Sequence, residues 1–293
     1  MLEDNTLFLV NCKNNYFYKY ENECVQPMKS GKINMFTYLV FKKLGLKFPK
    51  FLLDKKIIDS IGNNGQVVIT DSAYSDSLLN SLNSWGVHCK LYYMNKIDEK
   101  NIEFLDKFDN NHVYTFSKVD SEIYSINYLN TPYSSNIKLI SSPIMYDVVF
   151  LGREKNRKNE IERVYKTLNS MNLRCNFMVL DSTSEISEIK LDDYIDYDKY
   201  IEYVSKSKCI VELLNTGQEA RSLRGLESVF LKKKLITNCK NIVNEPFYDK
   251  NNIFVLGVDS ISNLSSFISE PYKDVSKKLY EQYDFEKWIR NFE

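Results

Sequence analysis

The sequence predicts an α/β protein with two doubly wound, mostly parallel sheets. Three observations predict it. Apolar runs of strand length recur along the whole chain, and amphipathic stretches of helical length separate them. The 293 residues are long for one core and comfortable for two domains of about 140 each. Polar residues, glycines and arginines gather where apolar runs end and helices begin, which is where parallel sheets bind ligands.

Taken in order, residues 7–11 form a first strand and 16–20 a second, with 21–30 as loop. Residues 31–44 place Ile33, Phe36, Val40, Phe41 and Leu44 on one helical face, and Gly45 stops that helix. A further amphipathic helix covers 51–61, and Gly62-Asn63-Asn64-Gly65 is a turn. Residues 66–70 make a compact strand ending in Asp71 and Ser72, followed by a helix over 75–85. The next strand, 87–94, ends at Asn95, and a helix is expected over 97–108. Residues 112–116 form a strand ending in Ser117-Lys118-Val119-Asp120. The strand ends of a parallel sheet face one crevice, so Asp71, Asn95, and Ser117 with Asp120 belong together by position. His88 and His112 fall at strand starts and read as structural.

An irregular stretch, 128–142, holds Pro132 and precedes Pro143, which places a domain boundary near 142/143. A strand over 147–151 leads into Gly152-Arg153-Glu154-Lys155-Asn156-Arg157. A glycine between a strand and a charged helix lets a phosphate approach the backbone. Arg153 and Arg157 are the cations there, unless the stretch is simply a solvated basic turn. A helix over 157–171, a strand over 175–180 and a polar loop to 193 follow. Asp196-Tyr197-Asp198 precedes a helix that runs to about 206.

Residues 208–213 and 235–237 are strands that enclose a loop with Gly217 and a helix over 221–232. This strand-loop-helix-strand unit leaves unpaired N–H groups at the helix start. Ser222 can donate to a phosphate oxygen, Arg224 offers a fixed cationic fork, and Glu227, one turn on, can accept from two ribose hydroxyls. The same residues also fit a helix cap and a solvated face. The last strand covers 252–256, a helix 261–268, and a terminal helix 272–292.

Composition excludes some classes. Basic and acidic residues balance at 39 each, without the basic excess of a nucleic-acid binder. The six cysteines show no Cys-x-x-Cys spacing and read as reduced, buried residues rather than metal ligands. The N-terminus lacks the basic and apolar regions of a signal peptide, and no apolar run approaches the ~20 residues of a membrane span. A cytoplasmic protein is therefore expected.

The motif order resembles GT-B glycosyltransferases, chiefly the bacterial enzymes of lipopolysaccharide and capsule synthesis. Those carry a Gln-x-Gly loop, a Thr/Ser-x-Arg helix start, a glutamate three residues on and a Lys-Lys-Leu-Ile-Thr strand. Here these are Gln218, Ser222-Leu223-Arg224, Glu227 and residues 233–237, with Ala220 in place of the loop glycine. Glu219 and Glu227 also show the Glu-x7-Glu spacing of many retaining members. The Phe-x-Gly-Arg loop, the Asp-Ser and Asn strand ends, and a Ser-Phe-Asp-x-x-Asp motif match at Gly152-Arg153, Asp71-Ser72, Asn95 and Thr115–Asp120, with Ser117 replacing the first aspartate. The likeness spans roughly residues 60–260.

The resemblance implies two Rossmann-like domains facing a cleft: 1–142 for the acceptor, 143–275 for a nucleotide-sugar, and a helix, 276–293, crossing back to the first. It implies a metal-independent, hexosyltransferase-like enzyme with no cofactor, whose donor contacts include Gly152, Arg153, Arg157, Gly217, Ser222, Leu223, Arg224 and Glu227, with the backbone near Tyr197 facing the base. If the reaction inverts, Asp71 is the first candidate base and Asp120 the second. If it retains, Glu219 matters more. Ser72 and Asn95 would orient acceptor or donor. The acceptor is expected to be a growing surface glycan, free or lipid-linked, with peripheral contact at the inner face of the membrane. A metal-dependent GT-A enzyme centred on Asp196 and Asp198, and a non-catalytic binding subunit, are the alternatives.

Overall fold

The computed structural model describes residues 6–11, 16–28, 31–60, 65–215 and 222–292. The chain divides into two units, Met1–Ser134 with Phe285–Glu293, and Ser135–Asp284.

Among the described residues the first unit is built on six parallel strands: β1 (Leu7–Leu9), β2 (Cys24–Val25), β3 (Gln66–Thr70), β4 (His88–Tyr93), β5 (Val113–Thr115) and β6 (Asn127–Tyr128). Their order is β2-β1-β3-β4-β5-β6. Helices α1 (Lys32–Lys43), α2 (Lys55–Ser60), α3 (Asp76–Ser84) and α4 (Lys118–Tyr124) belong to the same unit. Successive side chains of a strand point to opposite faces, and a parallel sheet buries both. The register Leu9↔Ile69, Ile69↔Leu91 and Leu91↔Val113 aligns one face, which packs with Leu78 and Leu82 of α3. Phe8 and Tyr92 point the other way and meet an aromatic cluster described below. Ser75 caps α3 by accepting the N–H of Leu78 at 3.3 Å.

The second unit holds β7 (Tyr146–Arg153), β8 (Cys175–Leu180), β9 (Lys190–Leu191), β10 (Ser207–Glu212), β11 (Lys234–Thr237) and β12 (Ile253–Val255), with α5 (Lys158–Ser170), α6 (Tyr197–Ser205), α7 (Arg224–Phe230), α8 (Leu264–Ser269) and α9 (Lys277–Tyr283). All strands are parallel, in the order β12-β11-β10-β7-β8-β9. Numbered within the unit, that is the 3-2-1-4-5-6 order of dinucleotide-binding sheets. The chain winds outward from β7 through α5 to β8, then starts again at β10 and winds the other way. The fold class read from the sequence, two doubly wound parallel α/β sheets, is therefore what the structure shows.

The expected terminal helix over 272–292 is broken. Asp284 is extended (φ −70°, ψ 125°) and its carboxylate accepts the N–H of Ser135 at 3.1 Å. The N–H of the next residue, Phe285, donates to Tyr133 O at 2.8 Å. α10 (Phe285–Trp288) then brings Trp288 against Phe8 and Tyr92, with ring centroids 5.5 and 5.2 Å apart, and the indole N–H donates to Asn130 O at 2.6 Å. This cluster covers the second face of the first unit's sheet.

Other elements depart locally from expectation. Residues 16–20 form a 3-10 turn rather than a strand, and Tyr18 stacks on Phe8 at 6.1 Å. Within 97–108 only Ile102–Lys107 is helical, as a 3-10 helix. Asp98 and Asn101 compete for the backbone there: the Asp98 carboxylate accepts the Lys100 N–H and the Asn101 amide accepts the Asp98 N–H. Residues 118–120 begin helix α4, with Ser117 as its cap. Gly152 lies inside β7, not after it.

Candidate functional site at the strand ends of the second unit

The order of the second sheet fixes where a site can form. The loops leaving the carboxyl ends of the neighbours β7 and β10 depart in opposite directions, and a crevice opens between them. Arg153 ends β7 and Glu212 ends β10. Both clusters singled out in the sequence therefore fall at this one point of the sheet.

Arg157, the residue before α5, ties the two strand ends together. Its Nε and Nη2 donate to Arg153 O at 3.1 and 2.8 Å, and its Nη1 donates to Leu213 O, just past β10. The guanidinium also lies over the Phe150 ring, 5.5 Å from its centroid. Gly152 makes this path possible. A Cβ there would stand 2.7 Å from Arg157 Nη2 and 3.1 Å from Phe150 Cζ. The space expected to receive a phosphate at Gly152 is thus occupied by the side chain of Arg157. Burial pulls the Arg157 pKa down, as does the neighbouring positive charge of Arg224, while Glu212 acts in the opposite direction.

Arg224 opens α7 on the other side of the crevice. Its guanidinium lies over Tyr200, 4.0 Å from the ring centroid, and Nη2 donates to Leu151 O at 3.3 Å. Nη1 pairs with Glu227 Oε2 at 2.5 Å. Burial opposes the arginine's charge, but the pull of Glu227, supported by Tyr200 and Tyr197, holds its pKa above that of an ordinary arginine.

Glu227 is fully buried. Its Oε1 accepts the Tyr197 hydroxyl and its Oε2 the Tyr200 hydroxyl, both at 2.9 Å. Both Glu227 oxygens thus accept hydrogen bonds from within the unit, and the residue positions Arg224. Tyr197, whose backbone was expected to face a base, spends its hydroxyl on the same carboxylate.

Ser222 has a similar internal use. Its N–H and hydroxyl both donate to Glu212 Oε1, at 3.0 and 2.6 Å, and its hydroxyl accepts the Arg224 N–H at 3.2 Å. It caps the entry to α7, while Leu223 sits helically just before it. Glu212 is the residue that local reading of the sequence missed. It is buried, and its second oxygen accepts Thr237 Oγ1 at 2.6 Å, so it joins β10, β11 and the start of α7. The signal was a carboxylate ending an otherwise apolar run, Cys209-Ile210-Val211-Glu212.

Arg153 stands apart from this network. It is exposed and pairs with Asp181 at 2.9 Å, an arrangement of small energetic weight. Gly217 and Glu219 lie outside the described residues.

In the first unit the order β2-β1-β3-β4-β5-β6 puts the reversal between β1 and β3. Asp71 follows β3 directly. Its carboxylate accepts the Met94 N–H at 3.1 Å and the Asn95 amide at 2.8 Å, which joins two of the predicted residues. Burial raises the Asp71 pKa, against the lowering effect of those hydrogen bonds. Ser72 is exposed and its hydroxyl lies 3.0 Å from that of Thr70. Asp120 is buried and accepts the Ile97 N–H at 3.2 Å, so it staples the loop after β4 to α4 rather than presenting a free carboxylate. Its neighbour Ser117 caps α4 by accepting the Asp120 N–H at 3.1 Å. His88 and His112 border a shallow polar groove at the opposite ends of the strands.

Among the described residues no three His, Cys, Asp or Glu side chains come together as a metal-holding group. Asp196 caps α6 by accepting the Lys199 N–H at 2.8 Å, and Asp198 is exposed in the first turn. Among the described residues no helix is long and apolar enough to cross a membrane.

No family model matches the chain, and no curated protein matches it. Solved structures with a similar chain path exist at low identity. TarM is 12% identical with a TM-score of 0.46, over 78% of this chain and 52% of its own. The GtfA/B complex is 11% identical with a TM-score of 0.46, over 92% and 62%. The DNA-modifying enzyme beta-glucosyltransferase, solved in the presence and absence of uridine diphosphoglucose, is 12% identical with a TM-score of 0.44, over 98% and 94%. The chain thus spans about half of TarM and about three fifths of the GtfA/B chain.

Proposed function

We propose that the chain is a glycosyltransferase that moves a sugar from a nucleotide-sugar donor to a glycan, with the donor diphosphate bound where β7 and β10 end. One observation carries the reading. Two guanidiniums, Arg157 and Arg224, are held at the reversal point of a 3-2-1-4-5-6 parallel sheet, the place where such sheets take nucleotides. Among the described residues the bonds of Arg157 use three of its five N–H groups, which leaves donors for phosphate oxygens.

The chemistry follows from that placement. The acceptor oxygen forms a bond to the anomeric carbon as the carbon–oxygen bond to the diphosphate breaks. Negative charge grows on the leaving nucleoside diphosphate. Cations already fixed before the reaction stabilise that charge without reorganising. Glu227, Tyr197, Tyr200 and Glu212 do the fixing, and these arginines rather than a metal neutralise the leaving group.

The acceptor half of the proposal falls on the first unit. In an inverting reaction Asp71 takes the proton of the acceptor hydroxyl, and Asn95 orients it. The likeness of the motifs to lipopolysaccharide and capsule enzymes extends the proposal to a growing bacterial surface glycan as acceptor.

The test is a thermal-shift screen of the full chain against nucleoside diphosphates and nucleotide sugars, because a ligand that binds only the folded state raises the melting temperature. At least one diphosphate should stabilise the wild type, and Arg157→Ala should abolish the effect while still folding. If no diphosphate stabilises the chain, the reading fails. If diphosphates bind but no nucleotide sugar turns over with any glycan, the chain is a binding subunit instead.

A further inference from the structure

The stretch from 32 to 51 holds none of the residues proposed to bind the donor. One face of α1 anchors it: Tyr38 is buried and stacks on Phe48 with centroids 4.5 Å apart, and Phe41 packs on the same core. The remaining stripe is turned to solvent. Met35, Phe36, Leu39 and Val40 are 49, 70, 53 and 37% exposed. Their spacing in pairs four apart puts them on one side of the helix. The segment just after it continues in the same character, with Leu44 and Phe51 each 64% exposed and Leu46 47%. Large apolar side chains gathered in one exposed segment mark an interaction surface.

Charge identifies the partner. The whole chain balances 39 basic against 39 acidic residues, yet the segment 32–51 contains five lysines and no acidic residue. Lys32, Lys42, Lys43, Lys47 and Lys50 are all exposed. A second copy of the chain docked on this face would set these lysines against themselves. Protein interfaces are poor in lysine at their core. A bilayer surface suits both features: apolar tips enter the headgroup boundary while lysines extend to the phosphates.

We infer that this face of the first unit docks on an anionic lipid surface. Phe36, Leu39, Leu44 and Phe51 supply the insertion, and the flanking lysines supply the selectivity for negative headgroups. Docking of this kind needs no nucleotide and stands independently of the transferase reading.

Co-sedimentation of the full chain with vesicles tests it. Phosphatidylcholine vesicles with phosphatidylglycerol should bind the wild type at least about tenfold more tightly than phosphatidylcholine alone, and salt should weaken the binding. Phe36→Asp with Leu39→Asp, and separately Lys42→Glu with Lys43→Glu, should each reduce anionic binding by about tenfold or more. These positions are exposed, and circular dichroism melting shows whether each variant is folded. The inference is overturned if anionic vesicles do not bind, or if a folded variant binds like the wild type. It is also overturned if the wild type is a dimer that Phe36→Asp with Leu39→Asp splits, with no vesicle binding.

Discussion

Glu227 sits directly under Arg224, with Nη1 and Oε2 2.5 Å apart and two tyrosine hydroxyls completing the carboxylate. The pair is withdrawn from water, so its weight shows when one member is removed. Glu227→Ala leaves a buried guanidinium without its counter-charge and should cost about 3–5 kcal/mol in urea unfolding. Glu227→Gln keeps the shape and costs less, but it frees Arg224 to move. Diphosphate affinity should therefore fall in the glutamine variant by about tenfold or more. Unchanged affinity there would detach Arg224 from donor binding.

Gly152 and Arg157 form a second steric unit. The backbone of Gly152 is not in the left-handed region, so Gly152→Ala tests space alone. Its methyl would meet the Arg157 guanidinium at 2.7 Å and the Phe150 ring at 3.1 Å. The flexible arginine yields before the ring does. Folding should weaken by only about 1–2 kcal/mol, while diphosphate binding drops with the displaced cation. Calorimetric titration beside a thermal melt separates the two effects.

How much of this was legible in the sequence depends on the range of the interaction. The sheets were legible because 66–70, 88–93 and 175–180 are short segments with apolar centres or ends, bounded by turn residues, a local signal. The places of Arg157 and Arg224 were legible too, since strand ends of parallel sheets share a side. The uses of Gly152, Ser222 and Glu227 were not. Their partners are Arg157, Glu212, Tyr197 and Tyr200, and for Ser222 and Glu227 these lie ten to thirty positions away. Read locally, a buried carboxylate with three donors looks like an exposed polar residue on a helix. The helix expected over 97–108 was misread for the opposite reason: Asp98 and Asn101 offer the backbone short-range hydrogen bonds that apolar periodicity does not register.

Asp71 allows one substitution to test both stability and the proposed base. Burial holds its pKa above the ordinary value, and the Asn95 and Met94 hydrogen bonds only partly offset this. A raised carboxyl pKa means that the folded chain binds the proton more tightly than the unfolded chain. The stability from this group is therefore present below the ordinary aspartate value of about 4 and is lost as pH rises through the higher folded value. Asp71→Asn removes that loss, so stability at neutral pH should hold or rise and its pH slope in this window should flatten. If Asp71 is the base, transfer should fall about 100- to 10,000-fold. An active Asn variant would remove it from the chemistry.

Asp196 decides between charge supplied by the chain and charge supplied by a metal. Its Oδ1 accepts the Lys199 N–H at 2.8 Å, the contact of a helix cap. Asp196→Ala should accordingly cost about 1 kcal/mol of stability and leave turnover intact. Nucleotide-sugar turnover should proceed equally in chelator and in added divalent cation, because the proposed neutralising charges are Arg157 and Arg224. If chelation stops the reaction, a divalent cation restores it, and Asp196→Ala is folded but inactive, the leaving group is being neutralised near Asp196 and Asp198. The arginines at the ends of β7 and β10 would then be scaffolding.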